Sequence, residues 1–313
     1  GDIDSKEYNE YLLNYEKLHG EYLAKQNKYE FLYPELDDPK FNEKIAKRRE
    51  FYDTQYDGKI YNVKEQAEKL CNADFELMPH QLFVRNFLSL QTPYNSLLLY
   101  HGLGTGKTCS AIGVAEEMRA FVKNIGSTNR ILIVASPNVQ SNFRSQLFDE
   151  KRLKLDGGVW NLNTCVGNEL LKEINPIQMQ DIPKAKVVSH MNSLINQYYQ
   201  FMGYGELANY IKKKTMVSEN MGLSSREQKE LEIQNLRKLF NNRLIIIDEV
   251  HNISAIQSNK QNKKTSAMLM RVCKYAQNMR LLLLSATPMY NSYKEIIWLT
   301  NLLNIVDKRA LVK

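Results

Sequence analysis

The chain has 313 residues, enough for one large domain or two ordinary ones, and its 43% hydrophobic and 25% charged residues are typical of a soluble globular protein. No apolar run approaches the roughly 20 residues that a membrane-spanning helix requires, so we expect no membrane association. The polar, acidic start GDIDSKEYNE lacks the basic and apolar segments of a secretory signal. A formal net charge of +7 favours a polyanionic partner, although many basic proteins bind no nucleic acid.

Residues 1–74 are rich in Tyr, Glu and Lys and repeat apolar side chains at helical spacing. The repeated positions are Tyr8, Leu12, Tyr15, Leu18 and Tyr22. The stretch YPELDDP interrupts this pattern before FNEKIAKRREF resumes it. We predict a helical N-terminal extension with a turn in its middle, in which the tyrosines form a packing stripe. A protein-docking role for the extension stays open.

The four cysteines are spread along the chain without the paired spacings that mark zinc sites or disulfide frameworks. They are Cys71, Cys109, Cys165 and Cys273. We therefore predict neither kind of site and expect an intracellular protein in a reducing compartment.

Residues 75–313 alternate short apolar runs with amphipathic segments. Five runs, NSLLLY, RILIVAS, KAKVVS, RLIIIDE and RLLLLSA, are typical of strands covered on both faces. With helices between them, they predict an α/β domain whose mostly parallel sheet is sandwiched by helices. A charged stretch at about 203–242 is interpreted as one or two inserted surface helices, with a mobile loop at SENMGLSS.

The first apolar run leads into HGLGTGKT, a loop that suits a phosphate chain. Backbone N–H groups can wrap phosphates only where side chains do not intervene, which explains Gly102, Gly104 and Gly106. A helix beginning near Lys107 directs its N-terminal amides at the same anion. The main chain of Leu103 and Thr105 completes the predicted loop.

Two side chains of this loop have predicted roles of their own. Lys107 is expected to reach the β- and γ-phosphates, and the Thr108 hydroxyl to bind Mg²⁺. The pattern G-x-x-x-x-G-K-[ST] begins with Gly, whereas this chain has His101. That position starts the loop without holding phosphate closely, so we expect the change to be tolerated. ATP and Mg²⁺ are the predicted cofactors.

The run RLIIIDEVHNIS supplies the carboxylates that a magnesium triphosphate needs. Asp248, at the end of the strand, is expected to hold Mg²⁺, and Glu249 to polarise the attacking water. The run RLLLLSATPMYNS ends in hydroxyl side chains. We predict that Ser285 and Thr287 hydrogen-bond the 248–251 segment, with His251 as part of the coupling between nucleotide and a neighbouring surface.

The ordered set MPHQ, HGLGTGKT, ASPN, DEVH and SATPMYN resembles the first motor domain of superfamily 2 helicases and translocases of the DExH type. The segments around the motifs are similar to ATPases of nucleocytoplasmic large DNA viruses, akin to the poxvirus early transcription factor small subunit and the poxvirus DNA-dependent nucleoside triphosphatase. The superfamily resemblance covers roughly Phe75 to the C-terminus. It implies a P-loop RecA-like fold for this domain.

The resemblance also implies roles for residues outside the nucleotide loop. Gln81 would read the adenine edge, because an amide can donate and accept at once. Four residues that follow predicted strands would contact the nucleic-acid backbone without reading sequence. These are Ser136, Pro137 and Asn138 after RILIVA, and Ser189 after KAKVV.

In this superfamily a second RecA-like domain supplies arginines to the ATP site, and the 313 residues have no room for it. We therefore expect weak nucleotide binding and very slow hydrolysis by this chain alone. The expected partners are DNA, with RNA left open, the second RecA-like domain, and viral RNA polymerase or transcription factor subunits. If the protein is viral, the virion core or host cytoplasm is its expected location. Two alternatives stay open: the motor of a restriction or remodelling-type translocase, and a nucleotide-binding docking subunit without turnover.

Overall fold

The computed structural model describes residues 33–56, 58–65, 68, 75–102, 104–217, 224–253, 260–289 and 292–312. The chain divides into two compact units, residues 1–55 and 56–313. In the first unit, helices α1 (Phe41–Ala46) and α2 (Arg49–Tyr52) follow the predicted turn. The tyrosine stripe predicted over residues 8–22 lies outside the described residues. Among the helices that are described, none has both the length and the apolar character needed to cross a membrane.

The second unit contains a five-stranded, fully parallel sheet with the order β1-β7-β6-β2-β5. Its strands are β1 (Ser96–Tyr100), β2 (Ile131–Val134), β5 (Tyr199–Met202), β6 (Leu244–Ile247) and β7 (Arg280–Ser285). The three inner strands are buried at every position, as their unbroken apolar runs require. Because all strands are parallel, their carboxyl ends lie along one edge, where ligands of such sheets bind.

The prediction that KAKVVS forms a strand is wrong. These residues begin helix α7 (Lys184–Tyr198), which buries Val187, Met191 and Ile195 along one face. That spacing of four residues is helical, so the local Val-Val pair was misleading. The strand that completes the sheet is the edge strand β5, which directly follows this helix. The other four predicted strands are confirmed.

Helices cover the sheet, which confirms the predicted α/β fold. They are α3 (Pro79–Phe87), α4 (Lys107–Asn124), α5 (Pro137–Leu147), α6 (Glu169–Ile174), α7, α8 (Tyr204–Thr215), α9 (Ser225–Phe240), α10 (Lys260–Tyr275) and α11 (Lys294–Val306). Short 3₁₀ helices span Glu150–Arg152 and Val250–Ile253, and a separate antiparallel hairpin is formed by β3 (Leu153–Asp156) and β4 (Val159–Leu162).

The charged stretch at 203–242 forms helices α8 and α9, and both are amphipathic. Their charged residues face outward, but Leu207, Ile211, Leu236 and Phe240 are fully buried in the main hydrophobic core. The two helices therefore cover one face of the sheet as well as forming surface. The expected mobile loop falls largely on residues 218–223, outside the described residues.

Two buried arginines bind the amino ends of the central strands. Arg243, at the start of β6, is 1% exposed and donates to the carbonyls of Arg130 and Leu239. Arg280, at the start of β7, donates to the carbonyls of Leu88 and Ser89. Both guanidinium groups thus pair with neutral oxygen atoms of neighbouring segments, which meets the requirement that a buried cation be hydrogen-bonded.

The expectation of no disulfide is wrong for one pair. Cys109, in the first turn of α4, is bonded to Cys165, just before α6, with their Cα atoms 5.2 Å apart. The two residues are separated by 56 positions and meet only through packing, so their spacing along the chain carried no signal. Of the other two, Cys273 is buried with a free thiol and Cys71 lies outside the described residues.

Candidate functional site

The glycine-rich loop lies at the carboxyl edge of the sheet, between the end of β1 and the start of α4. Gly104 and Gly106 have φ angles of 79° and 77°, in the left-handed region that favours glycine. A Cβ atom on Gly106 would lie 2.5 Å from Nε2 of Gln81. The loop therefore needs glycine at this position for both its backbone conformation and its close packing. Leu103 lies outside the described residues.

The Lys107 side chain folds back over this loop. Its Nζ donates to the carbonyl oxygens of His101 and Gly102, at 2.8 and 2.9 Å. The Thr105 hydroxyl also donates to Gly102, and His80 contacts the Thr105 carbonyl through Nε2 at 3.1 Å. The ammonium group is thus held over the loop, where a bound phosphate would compete with neutral carbonyls for it.

Gln81, which is predicted to read the adenine edge, lies beside the loop, and both ends of its amide have protein partners. Oε1 accepts from the Met78 N–H at 3.0 Å, and Nε2 donates to the Gly106 carbonyl at 3.3 Å. The side chain therefore connects the start of α3 to the glycine-rich loop. Reading an adenine would require it to exchange one or both of these bonds.

The carboxylate pair after β6 lies at the same edge of the sheet. Asp248 is 8% exposed, and its Oδ1 accepts from the Glu249 N–H at 2.9 Å. Burial raises the pKa of Asp248 to about 6, and the neighbouring Glu249 charge adds to this, while the Lys107 and His251 charges act against it. Lys107 is thus close enough to influence the carboxylate, so the loop and the carboxylate pair face one site.

Glu249, His251 and Ser285 form a chain of polar contacts beside Asp248. Glu249 Oε2 lies 3.3 Å from His251 Nδ1, which lies 3.3 Å from the Ser285 hydroxyl. The Ser285 hydroxyl also accepts from the Thr287 N–H at 3.1 Å. Glu249 has a φ of 45°, an uncommon conformation for a residue with a side chain. Of the two residues predicted to hydrogen-bond the 248–251 segment, Ser285 contacts His251, whereas the hydrogen bond that Thr287 donates through its N–H goes to Ser285 and not to that segment.

The residues predicted to contact nucleic acid divide into two groups. Ser136 lies between the end of β2 and the start of α5, without a side-chain capping bond, and is followed by the exposed Pro137 and Asn138 at the carboxyl edge. Ser189, in contrast, is an exposed residue in the second turn of helix α7 and follows no strand. Its placement at a strand end was wrong, because the KAKVV run is helical.

The segment that does follow the edge strand is Gly203-Tyr204, which sequence reasoning missed. Gly203 is the N-cap residue of α8, and its N–H donates to Glu206 Oε2 at 2.7 Å. The Tyr204 hydroxyl donates to the Asp248 carbonyl at 2.9 Å. The available signal was the aromatic run YYQF followed by Gly and a capping Glu, a pattern typical of a strand that turns into a helix.

Comparison with known proteins agrees with this arrangement. The SNF2-related domain matches residues 80–308 of the chain. A protein of Acanthamoeba polyphaga mimivirus with the provisional name ATP-dependent RNA helicase is 27% identical over 289 residues, covering 87% of this chain and 23% of that protein. A provisionally named helicase of Invertebrate iridescent virus 3 is 25% identical over 88% of this chain and 24% of its own length.

A third relative has a name from transcription. The early transcription factor large subunit homolog of African swine fever virus is 25% identical over 87% of this chain and 30% of its own length. The chain thus spans less than a third of each of these three relatives. The resemblance read from the motifs is confirmed: the chain belongs to the SNF2-related domain family of superfamily 2 helicases.

Proposed function

We propose that the chain is the ATP-binding lobe of a nucleic-acid-dependent ATPase, a viral helicase or translocase that acts in transcription. The observation that carries the proposal is the convergence on one edge of the sheet of the left-handed glycine loop, Lys107 and the buried Asp248. A cation over a glycine-rich loop, at the same edge of the sheet as a buried carboxylate, suits a triphosphate with a divalent metal ion.

The residues present fit a magnesium nucleotide. Lys107 would exchange its two loop carbonyls for phosphate oxygens, which are stronger acceptors because they are charged. The Thr108 hydroxyl and Asp248 would hold Mg²⁺, which neutralises charge on the phosphates when bound. Asp248 must be ionised to do so, and its burial makes that ionisation unfavourable in the absence of a cation.

In the same proposal Glu249 orients and deprotonates the attacking water. One of its carboxylate oxygens lies 3.3 Å from His251 Nδ1 without a hydrogen bond between them, and the His251–Ser285 contact connects this pair to the end of β7. Such an arrangement allows a change at the surface near β7 to alter the position of the base. Because a second lobe would supply the cationic groups that stabilise the transition state, this chain alone should turn over slowly.

Nucleic acid is the proposed partner because the net charge is +7 and exposed polar residues follow β2 at the carboxyl edge. The names of the relatives point to RNA unwinding in one case and early transcription in another. DNA, with viral RNA polymerase or transcription factor subunits as further partners, is our first choice, and RNA is the alternative to be tested. A role as the motor of a restriction or remodelling-type translocase predicts DNA stimulation without an RNA response.

The test is Glu249→Gln in the full-length protein, with ATP hydrolysis measured without nucleic acid and with double-stranded DNA, single-stranded DNA or RNA. We expect turnover to fall by about 10²–10⁴-fold while binding of a fluorescent ATP analogue stays nearly unchanged. Glu230→Gln, an exposed carboxylate in α9 that pairs with Arg226, is the matched control and should behave as wild type. Unchanged turnover in the Glu249 variant would reject Glu249 as the base. Loss of turnover with unchanged biological activity, or no turnover in the wild-type protein, would favour a docking subunit.

A further inference from the structure

Tyr204 occupies a position to which neither the motif analysis nor the proposed chemistry assigns a role. It is the first residue of α8, directly after Gly203 at the end of the edge strand β5. The side chain is half-buried and does not contact the glycine-rich loop through any hydrogen bond in the described part of the chain. Its contacts lie instead between the candidate hydrolytic residues and the candidate nucleic-acid contacts.

The Tyr204 hydroxyl lies where three segments of the carboxyl edge meet. It donates to the main-chain carbonyl of Asp248 at 2.9 Å and lies near the main chain of Ser136 and the side chain of Asn252. Its own carbonyl accepts from the Thr265 hydroxyl of α10 at 3.3 Å, which anchors the residue from a fourth side. Burial raises the pKa of Tyr204, so the phenol stays protonated and can donate.

The bond to Asp248 is placed where it can control the catalytic carboxylate. The Asp248 carbonyl belongs to the peptide group that leads into Glu249, and Glu249 has a φ of 45°. A backbone held in a sparsely populated conformation persists only while its surroundings fix it. The Tyr204 hydroxyl fixes the orientation of this peptide group, and hence the direction in which the Glu249 side chain leaves the main chain.

The same hydroxyl lies beside the other site. Strands β2 and β5 are paired up to Val134 and Met202, and the Ala135 N–H donates to the Met202 carbonyl, so the next residue, Ser136, neighbours Tyr204 at the carboxyl edge. Ser136 precedes the exposed Pro137 and Asn138, the residues expected to contact a nucleic-acid backbone. A shift of this segment on binding would therefore change the surroundings of the hydroxyl that holds the Asp248–Glu249 peptide. A single side chain touches both segments, so no longer chain of contacts is required.

We propose that Tyr204 is a positioning residue that couples nucleic-acid contact at residues 136–138 to the hydrolytic geometry of Glu249. This inference rests on the proposed function, since it needs both a nucleic-acid site and an ATPase. Tyr204 touches no reacting atom. It acts through the main chain of its neighbours, so its removal should alter stimulation by nucleic acid without altering nucleotide binding.

The experiment compares Tyr204→Phe with Tyr210→Phe in the full-length protein. Tyr210 lies in the same helix, and its hydroxyl accepts a hydrogen bond from Arg243 Nη1 at 3.2 Å, near the amino ends of the strands. Tyr210→Phe therefore also removes one hydrogen bond of a tyrosine, but away from the candidate site. For each protein the unstimulated turnover, the turnover with saturating nucleic acid, the KM for ATP and the melting temperature are measured. These readouts separate coupling from binding and from folding.

For Tyr204→Phe we expect the ratio of stimulated to unstimulated turnover to fall about three- to tenfold, the loss expected for one hydrogen bond of ordinary strength. The KM for ATP should stay within about twofold of wild type. For Tyr210→Phe, the ratio of stimulated to unstimulated turnover and the KM for ATP should both stay within about twofold of wild type. In an Asn138→Ala background, the effect of Tyr204→Phe on the ratio should shrink, because both changes act on one coupled unit.

The inference is overturned if the ratio is unchanged in Tyr204→Phe while wild type is stimulated. It is also overturned if stimulated and unstimulated turnover fall equally, since that would show a purely structural role. Absence of stimulation of the wild-type protein by any nucleic acid would reject the proposed function itself, and this inference with it. The Glu249→Gln experiment recognises failure of the proposed function independently, because it measures ATP hydrolysis with and without each nucleic acid and does not involve Tyr204.

Discussion

Replacing Asp248 by Asn should stabilise the folded chain while removing its function. Asp248 is 8% exposed, and the pKa of its carboxyl is about 6 in the folded chain against 3.8 for a free carboxyl. This difference corresponds to about 3 kcal/mol of destabilisation when the group is fully ionised. Asn has the same shape and can still accept the Glu249 N–H through its amide oxygen, so the main cost removed is that of burying the charge.

The sign of the pH dependence follows from the raised pKa. Between pH 4 and 6 the folded chain holds a proton on Asp248 that the unfolded chain has lost, so the penalty grows as the pH rises and is complete above pH 6. The advantage of Asp248→Asn in the free energy of unfolding should therefore be largest near pH 7.5, at about 3 kcal/mol or somewhat less. At pH 5 it should be about half as large.

The assay is urea unfolding without nucleotide and with a metal chelator, at pH 5, 6 and 7.5, for wild type, Asp248→Asn and Asp156→Asn. Asp156 is an exposed carboxylate of the β3–β4 hairpin and serves as the control, with no change in stability expected. In the same preparations, binding of the magnesium nucleotide should weaken in Asp248→Asn. A variant that is less stable than wild type at pH 7.5, or whose advantage does not vary with pH, would refute the reasoning.

Two further predictions test the loop and the covalent link beside it. Gly106→Ala should weaken ATP-analogue binding and lower the melting temperature more than Gly126→Ala does; both place Ala at a positive φ, at a cost of about 1–2 kcal/mol, but only at Gly106 does the new Cβ displace Gln81. Equal losses would contradict the close packing. In the absence of reductant, Cys165→Ser should lower the free energy of unfolding by up to about 4 kcal/mol, and reductant should affect wild type but not this variant. Identical unfolding of wild type with and without reductant would show that the bond does not form.

The parts of the site that could be predicted are those whose residues are neighbours in the sequence. The glycine loop with Lys107 and the pair Asp248–Glu249 each follow an apolar run, and both follow from the requirement that phosphate and metal meet backbone amides and carboxylates at strand ends. The inner strands could also be predicted, because strands buried at every position require unbroken apolar runs in the sequence.

What could not be predicted depends on partners that are distant in the chain. The edge strand β5 is half-buried in its middle and only four residues long, so it lacks the apolar run of its neighbours, whereas the Val-Val pair of α7 imitates one. Tyr204 and Asp248 are 44 positions apart and Cys109 and Cys165 are 56 apart, so no local spacing marks either contact. Their geometry is set by how helices pack on the sheet.

The two arginines at the amino ends of β6 and β7 hold these ends of the strands more firmly than the carboxyl ends. Arg243 and Arg280 bind carbonyls of the segments around them and fix the starts of the two strands that carry Asp248 and Ser285 at their far ends. A force on the loops at the carboxyl edge would therefore tilt β6 and β7 about their fixed amino ends. Displacements along these strands would then be smallest at their amino ends and greatest at their carboxyl ends, where the candidate site lies.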